Sequence, residues 1–189
     1  DVARSIRADD TSLVNRAFST FSVGSVFKVA AALAAYENGL DWFTHDCTGS
    51  IEVDGQTYRC ALGKAHGTVN LRGALEQSCN TYFVALGQIL GGQALGTAAA
   101  ELGFGTAVPI APDLTASAGV LPSAKELQST GQLAVFSFGQ GSFTATPLQI
   151  TAMMNTIAGG GTYNTPRFCY GVTDADGTLT DPFQLPAPR

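Results

Sequence analysis

Charge is scarce in this chain. Only 13% of its 189 residues are Asp, Glu, Lys or Arg, against about 25% in ordinary soluble domains. The formal net charge is −5 and no basic run occurs, which argues against nucleic acid or an anionic membrane surface as a partner. With 45% apolar residues the chain can bury a core. A surface with so little charge is expected to be covered by other protein.

Long hydrophobic runs are also lacking. No uninterrupted apolar stretch reaches the roughly 18 residues of a membrane span. No segment has the pattern of a signal peptide, and no internal repeat is apparent. The sequence therefore predicts a single domain that carries no membrane anchor of its own.

Lysine occurs at three positions only: Lys28, Lys64 and Lys125. Lys28 is the only polar side chain except the Tyr36 hydroxyl between Val26 and Tyr36, a stretch that predicts a buried helix. A buried, unpaired ammonium costs several kcal/mol in order of magnitude. Ser25 lies one turn earlier on the same face, at the positive end of the helix dipole. A desolvated, neutral lysine can activate a serine, although a lysine near a helix start can also extend to water.

A second polar group, Ser78-Cys79-Asn80, falls between two apolar helical runs, 71–77 and 81–90. Serine and asparagine compete with helical backbone hydrogen bonds, so a break between helices frees their side chains to point into a cleft. S-x-x-K followed by S-x-N is a pattern of serine β-lactamases and penicillin-binding proteins. Together the two motifs predict a serine-based acyl-transfer site.

Four blocks in order resemble the transpeptidase domain of penicillin-binding proteins, most closely the monofunctional class B type. They are Asn15-Arg16-Ala17-Phe18 with Gly24-Ser25-Val26-Phe27-Lys28, then His66-Gly67 with Ala74-Leu75, then Ser78-Cys79-Asn80 with Tyr82-Phe83, and Phe138-Gly139-Gln140-Gly141 with Thr146-Pro147-Leu148-Gln149. The likeness covers residues 15–166. Each motif alone is weak, and their order makes the resemblance specific.

The family's third motif, K-T-G or K-S-G, does not occur after Gln149. We also expect the N-terminal strands that in the family precede the block beginning at Asn15 to be absent here, since residues 1–12 form a short, polar segment. The resemblance thus implies one partial transpeptidase domain over 1–189. We expect a mainly α fold, the helical subdomain of the β-lactamase/transpeptidase-like α+β fold, with a small hairpin and few or no strands of the main sheet. Such a fragment is expected to be poorly active and to need the missing strands, or self-association, to cover its exposed face.

Turn and capping residues predict where the helices and strands begin and end. Asp54-Gly55 within 50–59 predicts a β-hairpin. Gly39 is expected to end the helix that follows Ser25, and Gly91-Gly92 to end the helix that reaches Leu90. Residues 104–121 read as a long Gly/Pro/Ala loop. Thr146 with Pro147 and Gln149 predicts a capping box for a helix ending near Ala158. The helical core is expected over 15–166. Residues 167–189 are expected to hold a strand at 167–172, a turn at Asp176-Gly177 and a Pro-rich tail from Asp181.

Two of the four cysteines, Cys47 and Cys60, flank the predicted hairpin at 50–59. Cys47 and Cys60 are placed to form a disulfide if their Cα atoms come within about 4.4–6.8 Å, and two packed thiols are an equally open alternative. Neither the cysteine spacing nor His45 and His66 forms a clear tetrahedral set, so no metal is expected. His66 reads as a turn residue, and Cys79 as packing rather than a nucleophile.

The resemblance implies a mechanism that needs no cofactor. Ser25 attacks the carbonyl of a D-Ala-D-Ala stem peptide, or of a β-lactam, and forms an acyl-enzyme. Lys28 takes the serine proton, Ser78 relays it toward the leaving nitrogen, and Asn80 orients Lys28 and the substrate amide. The implied location is the extracytoplasmic face of the bacterial plasma membrane, with the anchor outside this chain. The glycine-rich turn is a weak candidate for substrate binding: Gly139, Gln140 and Gly141.

Two other functions fit the same motifs. A β-lactamase or β-lactam sensor shares the fold, but a hydrolase needs a water-activating base that the sequence does not reveal. A non-catalytic binding or scaffolding module would keep the fold without the chemistry, and the intact polar motifs weigh against it.

Overall fold

The computed structural model describes residues 14–111, 114–184 and 187–189. Contacts divide the chain into two compact units. One comprises residues 22–104 and 120–144, and the other residues 1–21, 105–119 and 145–189. The first unit carries all four residues of the predicted catalytic set, so its elements are the ones that position the candidate site.

Five α-helices and ten short strands are formed by the described residues. The helices are α1 (Lys28–Glu37), α2 (Leu71–Glu76), α3 (Asn80–Glu101), α4 (Thr130–Phe136) and α5 (Pro147–Ala158). The strands are β1 (Phe21–Ser22), β2 (Thr44–Cys47), β3 (Ser50–Val53), β4 (Gln56–Arg59), β5 (Gly67–Asn70), β6 (Pro109–Ala111), β7 (Leu114–Thr115), β8 (Thr144–Ala145), β9 (Gly171–Thr173) and β10 (Leu179–Pro182). Short 3-10 turns lie at Gly24–Phe27, Ala61–Gly63 and Glu126–Gln128.

Helix α1 forms the centre of the first unit. Its sequence, KVAAALAAYE, is rich in alanine, the strongest helix former. The small, buried side chains of Ala30, Ala31, Ala34 and Ala35 let neighbouring elements approach, and α1 packs against α3. The helix is not buried all round as its sequence suggested, because Tyr36 is 64% exposed.

Four phenylalanines fix the start of α1. The Phe27 ring centroid lies 4.7 Å from that of Phe136 and 4.9 Å from that of Phe143. Phe104 completes the cluster, 5.3 Å from Phe143. Each of the four side chains is at most 1% exposed, so the turn that carries Ser25 stands on a tightly packed aromatic core.

The predicted hairpin is present as β3 paired with β4. Asp54 (φ 49°) and Gly55 (φ 74°) both take the left-handed conformation that a two-residue hairpin turn requires. A second antiparallel pair, β2 with β5, was not expected from the sequence. Its register places Thr44 opposite Asn70 and Cys47 opposite Gly67, which brings two distant segments beside the hairpin.

Helix α3 is the one helix of the described residues with the length and composition of a membrane span. It is broken at Gly91 (φ 78°, ψ 162°), where the sequence predicted a helix end. Tyr82, Phe83 and Leu86 on its first half are fully buried, and the helix packs against α1 and α4. We therefore interpret α3 as a core helix.

The second unit has its own small core of Val108, Ile110, Ala116 and Leu148, with Phe18 packed against it. The predicted capping box at the start of α5 is confirmed, since Thr146 and Gln149 each bond the other's backbone N–H. The buried Gln149 amide also donates to the carbonyls of Thr106 and Ala118, at 3.1 and 2.9 Å. Gln149 thereby secures the segment 105–119 that was expected to be a featureless loop and instead contains β6 and β7.

The C-terminal segment, residues 167–189, also differs from its prediction. Residues 167–172 were expected to form a strand, which the structure has at Gly171–Thr173, paired with β10 across the predicted turn at Asp176-Gly177. The expected Pro-rich tail thus begins as strand β10. Residues 1–13, including the segment expected to lack the N-terminal strands, lie outside the described residues.

Candidate active site

Ser25, Lys28, Ser78 and Asn80 come together in the structure. Ser25 sits in the 3-10 turn before α1, and Lys28 is the first residue of that helix. Ser78 occupies the break between α2 and α3, and Asn80 is the first residue of α3. The four residues come from sequence segments about fifty positions apart, so the packing of α1 against α3 builds the cluster.

The Lys28 ammonium is almost completely buried, with the residue 1% exposed. Its Nζ donates to the Ser78 carbonyl oxygen at 2.7 Å, to Ser78 Oγ at 2.9 Å and to Asn80 Oδ1 at 2.6 Å. Three acceptors match the three protons of an ammonium. The Phe83 ring, with its centroid 5.7 Å from Nζ, adds a cation–π contact.

Burial lowers the pKa of Lys28 from 10.5 to about 8, because desolvation disfavours the charged form. Negative charge on the Cys60 and Cys79 sulfur atoms would oppose this shift, because a nearby anion favours the ammonium. A pKa near 8 leaves a usable neutral fraction close to neutral pH, which is what a general base needs. Lys28 is thus desolvated, as the sequence predicted: its side chain is buried and its pKa is lowered.

The hydrogen-bonded path from Ser25 to Lys28 runs through Ser78. Ser78 Oγ lies 3.1 Å from Ser25 Oγ and 2.9 Å from Lys28 Nζ. Hydroxyl hydrogens rotate to suit their partners, so a proton leaving Ser25 has a continuous path to the lysine. Ser25 itself is exposed, and its hydroxyl remains open to a substrate.

Asn80 is held in one orientation by its neighbours. Its Nδ2 donates to the Arg59 carbonyl at 2.9 Å, which leaves Oδ1 facing Lys28. Arg59 ends β4, so the hairpin acts as a support for the site. The sequence did not predict this hydrogen bond, because nothing in it indicates that the Arg59 carbonyl of the hairpin lies beside Asn80.

Ser78 stands where the backbone favours glycine. Each of the five described α-helices ends in a Schellman motif, in which the C′ residue takes a left-handed conformation. At α1, α3, α4 and α5 that residue is glycine, namely Gly39, Gly103, Gly139 and Gly160. At α2 it is Ser78, with φ 51°, and Cys79 N–H closes the motif on Ala74 O at 2.9 Å. A serine in a conformation that favours glycine is strained, and strained residues cluster at functional sites.

Two substitutions, Ser78→Gly and Ser78→Ala, should separate the effect of the Ser78 hydroxyl on acylation from its effect on stability. Both variants lose the hydroxyl between Ser25 and Lys28, so both should acylate far more slowly than the parent chain. Glycine relieves the left-handed strain whereas alanine keeps it, so Ser78→Gly should unfold with a free energy about 1 kcal/mol higher than Ser78→Ala. Urea denaturation measures this difference. Equal stability of the two variants would contradict it, and so would parent-like acylation by either.

The glycine-rich turn at 139–141 supports the nucleophile turn. Gly24 N–H donates to the Gly139 carbonyl at 2.7 Å, and a Cβ at Gly139 would meet Gly24 O at 2.0 Å. Gly139 is therefore needed for close backbone approach. Gln140 and Gly141 are exposed, which leaves their predicted contact with substrate as a proposal.

Of the two arrangements left open for Cys47 and Cys60, the structure has the packed thiols. Cys47 Sγ and Cys60 Sγ lie 3.7 Å apart and both thiols are free, whereas a disulfide bond is about 2.05 Å long. His66, expected as a turn residue only, places Nδ1 3.4 Å from Cys47 Sγ. Cys79 is fully buried, as expected for packing, and Cys60 Sγ lies 3.8 Å from its sulfur.

The thiols of Cys47 and Cys79 differ in acidity. Burial raises the pKa of Cys79 to about 12. For Cys47, burial is the largest single effect and by itself would raise the pKa. Hydrogen bonds from the Thr81 hydroxyl and from the backbone N–H groups of Gly49 and His66 together outweigh it and lower the pKa to about 6. His45, the second histidine, lies in β2 with its pKa lowered by burial.

The family model of the penicillin binding protein transpeptidase domain matches residues 3–186. The chain belongs to this family. Stage V sporulation protein D of Bacillus subtilis is 33% identical over 163 residues, which are 83% of this chain and 25% of that protein. Peptidoglycan D,D-transpeptidase PbpA of Mycobacterium tuberculosis is 36% identical over 158 residues, 79% of this chain and 31% of that protein. The chain thus spans about a quarter to a third of the length of these curated relatives.

Solved structures agree with the family assignment. Penicillin-binding protein A of M. tuberculosis, in its penicillin G acyl-enzyme complex, superposes with a TM-score of 0.83 at 28% identity, covering 96% of this chain and 42% of that one. Penicillin-binding protein 3 of M. tuberculosis, complexed with aztreonam, has a TM-score of 0.82 at 30% identity, covering 100% of this chain and 41% of that one. The fold is therefore that of part of a penicillin-binding protein transpeptidase domain. The expectation of a mainly α fold is met only loosely, because the described residues form ten short strands beside the five α-helices.

Proposed function

We propose that residues 1–189 are a single partial domain of a class B peptidoglycan D,D-transpeptidase, in which Ser25 is the nucleophile acylated by stem peptides and β-lactams. The observation that carries this proposal is the chain of hydrogen bonds from Ser25 through Ser78 to the buried Lys28, with Asn80 fixed beside it. The relatives named as peptidoglycan D,D-transpeptidases support the substrate class.

In the proposed reaction, Ser25 Oγ bonds to the carbonyl carbon of the substrate amide. Its proton passes to Ser78 Oγ while the Ser78 proton passes to neutral Lys28. The reverse transfer then protonates the nitrogen as the amide C–N bond breaks. Asn80 accepts a hydrogen bond from Lys28 in both states and keeps Nζ near Ser78. The acyl-enzyme is resolved by an amine from a second stem peptide, which forms the cross-link and frees Ser25.

The chemistry of the substrate sets the location. Peptidoglycan is assembled outside the plasma membrane, so we propose that the site works on the extracytoplasmic face. We also propose that the exposed face of the described residues is completed by further strands of the parent domain, in keeping with the low surface charge.

Covalent trapping tests the function. Incubation of the protein with penicillin G should add one penicilloyl group, located on the Ser25 peptide by mass spectrometry, and the adduct should persist after excess drug is removed. Rapid loss of the adduct with release of hydrolysed penicillin would instead identify a β-lactamase. A protein that acquires no adduct, alone or joined to the remainder of its parent domain, would contradict the proposal.

The rate of acylation should depend on pH through Lys28. With a pKa of about 8, roughly a tenth of the lysine is neutral at pH 7 and most of it at pH 9. Because only the neutral amine accepts a proton, the acylation rate should rise about tenfold between these pH values and then level off. Stopped-flow acylation with a chromogenic cephalosporin, corrected for uncatalysed hydrolysis, measures the profile. A flat profile from pH 6 to 10 would show that Lys28 is not the base.

A further inference from the structure

Four side chains with metal-ligating atoms converge beside the candidate active site. They are Cys47 at the end of β2, Cys60 directly after β4, His66 directly before β5 and Cys79 at the start of α3. Their three sulfur atoms and one imidazole nitrogen all lie within 4.8 Å of one another. The three cysteines are buried and His66 is partly buried.

The distances fit a tetrahedral zinc site. Zinc bonds cysteine sulfur at about 2.3 Å and histidine nitrogen at about 2.0–2.1 Å, so tetrahedral geometry separates two sulfurs by about 3.8 Å and a sulfur from a nitrogen by about 3.6 Å. Cys60 Sγ lies 3.7 Å from Cys47 Sγ and 3.8 Å from Cys79 Sγ. His66 Nδ1 lies 3.4 Å from Cys47 Sγ. Packed thiols alone would match single distances but would not require an imidazole nitrogen aimed at the same point.

The backbone holds three of the four side chains, those of Cys47, Cys60 and His66, in place. His66 N–H donates to the Cys47 carbonyl at 3.1 Å, and Cys60 N–H donates to the Gly49 carbonyl at 3.0 Å. Gly49 has φ 98°, and a Cβ there would lie 2.3 Å from Gly63 O, so only glycine allows the segment between Cys60 and His66 to fold back this closely. Three of the four side chains are therefore positioned by the β2–β5 pairing and by the chain between these two strands.

We propose that Cys47, Cys60, Cys79 and His66 bind one structural Zn²⁺ ion. Each cysteine loses its thiol proton to solvent and donates a sulfur lone pair, and His66 donates the Nδ1 lone pair with its proton on Nε2. Four protein ligands close the coordination sphere, which is typical of a structural site rather than a catalytic one. This reverses the expectation from sequence that no metal binds, since Cys3His is an established zinc ligand set.

The ion would join the hairpin segment to the start of α3. Cys79 lies between Ser78 and Asn80, so its bond to the metal would anchor the backbone that carries both polar residues. The proposal does not depend on the transpeptidase function, because metal content is measured without a substrate.

Metal analysis of the protein tests the site. Protein purified under reducing conditions, without chelator or added metal, should contain about one zinc per chain. Replacement of zinc by Co²⁺ should give the thiolate-to-metal charge-transfer and visible d–d bands of a tetrahedral sulfur-rich site. Cys60→Ser should lose most of the bound metal, whereas the matched control Cys169→Ser, which removes the cysteine outside the cluster, should retain it.

A ligand exchange makes the test specific. His66→Cys should still bind about one metal ion, because four cysteines also form a tetrahedral zinc set, and His66→Ala should bind weakly. If Cys60→Ser does not fold, the Co²⁺ spectrum of the parent and the two His66 variants decide the matter. A reduced protein without zinc that gives no Co²⁺ bands would overturn the proposal. So would a native mass two hydrogens lower, with a Cys47–Cys60 disulfide found by peptide mapping.

Discussion

Replacing the proposed nucleophile, Ser25→Ala, should abolish covalent labelling by a fluorescent penicillin. The proposed acyl-enzyme is an ester of the Ser25 hydroxyl, and alanine leaves no atom that can form it. The structure indicates that the fold should survive. Ser25 is exposed, its hydroxyl bonds Ser78 Oγ, and the turn is held by the buried Phe27 and by the Gly24 to Gly139 hydrogen bond. Substitution at such a surface position changes stability by about 0.5 kcal/mol or less.

The matched control is Ser50→Ala, which removes an exposed serine hydroxyl from strand β3. It should label as well as the parent, while both variants keep the parent's unfolding midpoint. Gel fluorescence gives the labelling, and peptide mass spectrometry gives its position. Labelling that persists in Ser25→Ala at another residue would show that this serine is not the nucleophile.

Features set by neighbouring residues were predictable from the sequence. The Asp54-Gly55 turn, the helix end at Gly39 and the capping box at Thr146 each depend on residues within four positions of one another. Their physics is local, and the structure confirms all three. The juxtaposition of Ser25 with Lys28 is likewise local, because one helical turn separates them.

Features set by distant residues were not predictable. Strands β2 and β5 are four residues each and largely polar, so no apolar alternation marks them, and their pairing joins segments about twenty residues apart. The same pairing brings His66 to Cys47. Counting cysteine spacing could not reveal this ligand set, which spans a hairpin, a strained turn at Leu62 (φ 56°) and a helix start.

Ser78 was predictable from the sequence only in part. The motif Ser78-Cys79-Asn80 was recognisable, but its left-handed backbone became visible only with the hydrogen bonds that close α2. Comparison with the four helix ends that carry glycine could have suggested it, since the serine follows the predicted helix end at Gln77 by one residue. A polar side chain at a position that otherwise takes glycine is thus a usable sequence signal for a functional residue.

Replacing the proposed base, Lys28→Arg, should slow acylation by about 10²–10⁴-fold, the usual contribution of a general base. Arginine keeps the positive charge, but its guanidinium does not give up a proton at working pH. It is also larger and planar, whereas Lys28 Nζ sits among three oxygen acceptors in a site only 1% exposed. Both effects remove the neutral amine that accepts the proton from Ser78.

The pH profile separates loss of the base from a simple disturbance of packing. In the parent the acylation rate should rise with pH through about 8, as Lys28 loses its proton. In Lys28→Arg this rise should disappear, while slow residual acylation remains. The exposed lysine Lys64 provides the matched control, since Lys64→Arg changes the same chemical group outside the site and should keep both rate and profile. If Lys28→Arg is slower but still shows the rise near pH 8, the base is another group and Lys28 only positions Ser78 and Asn80.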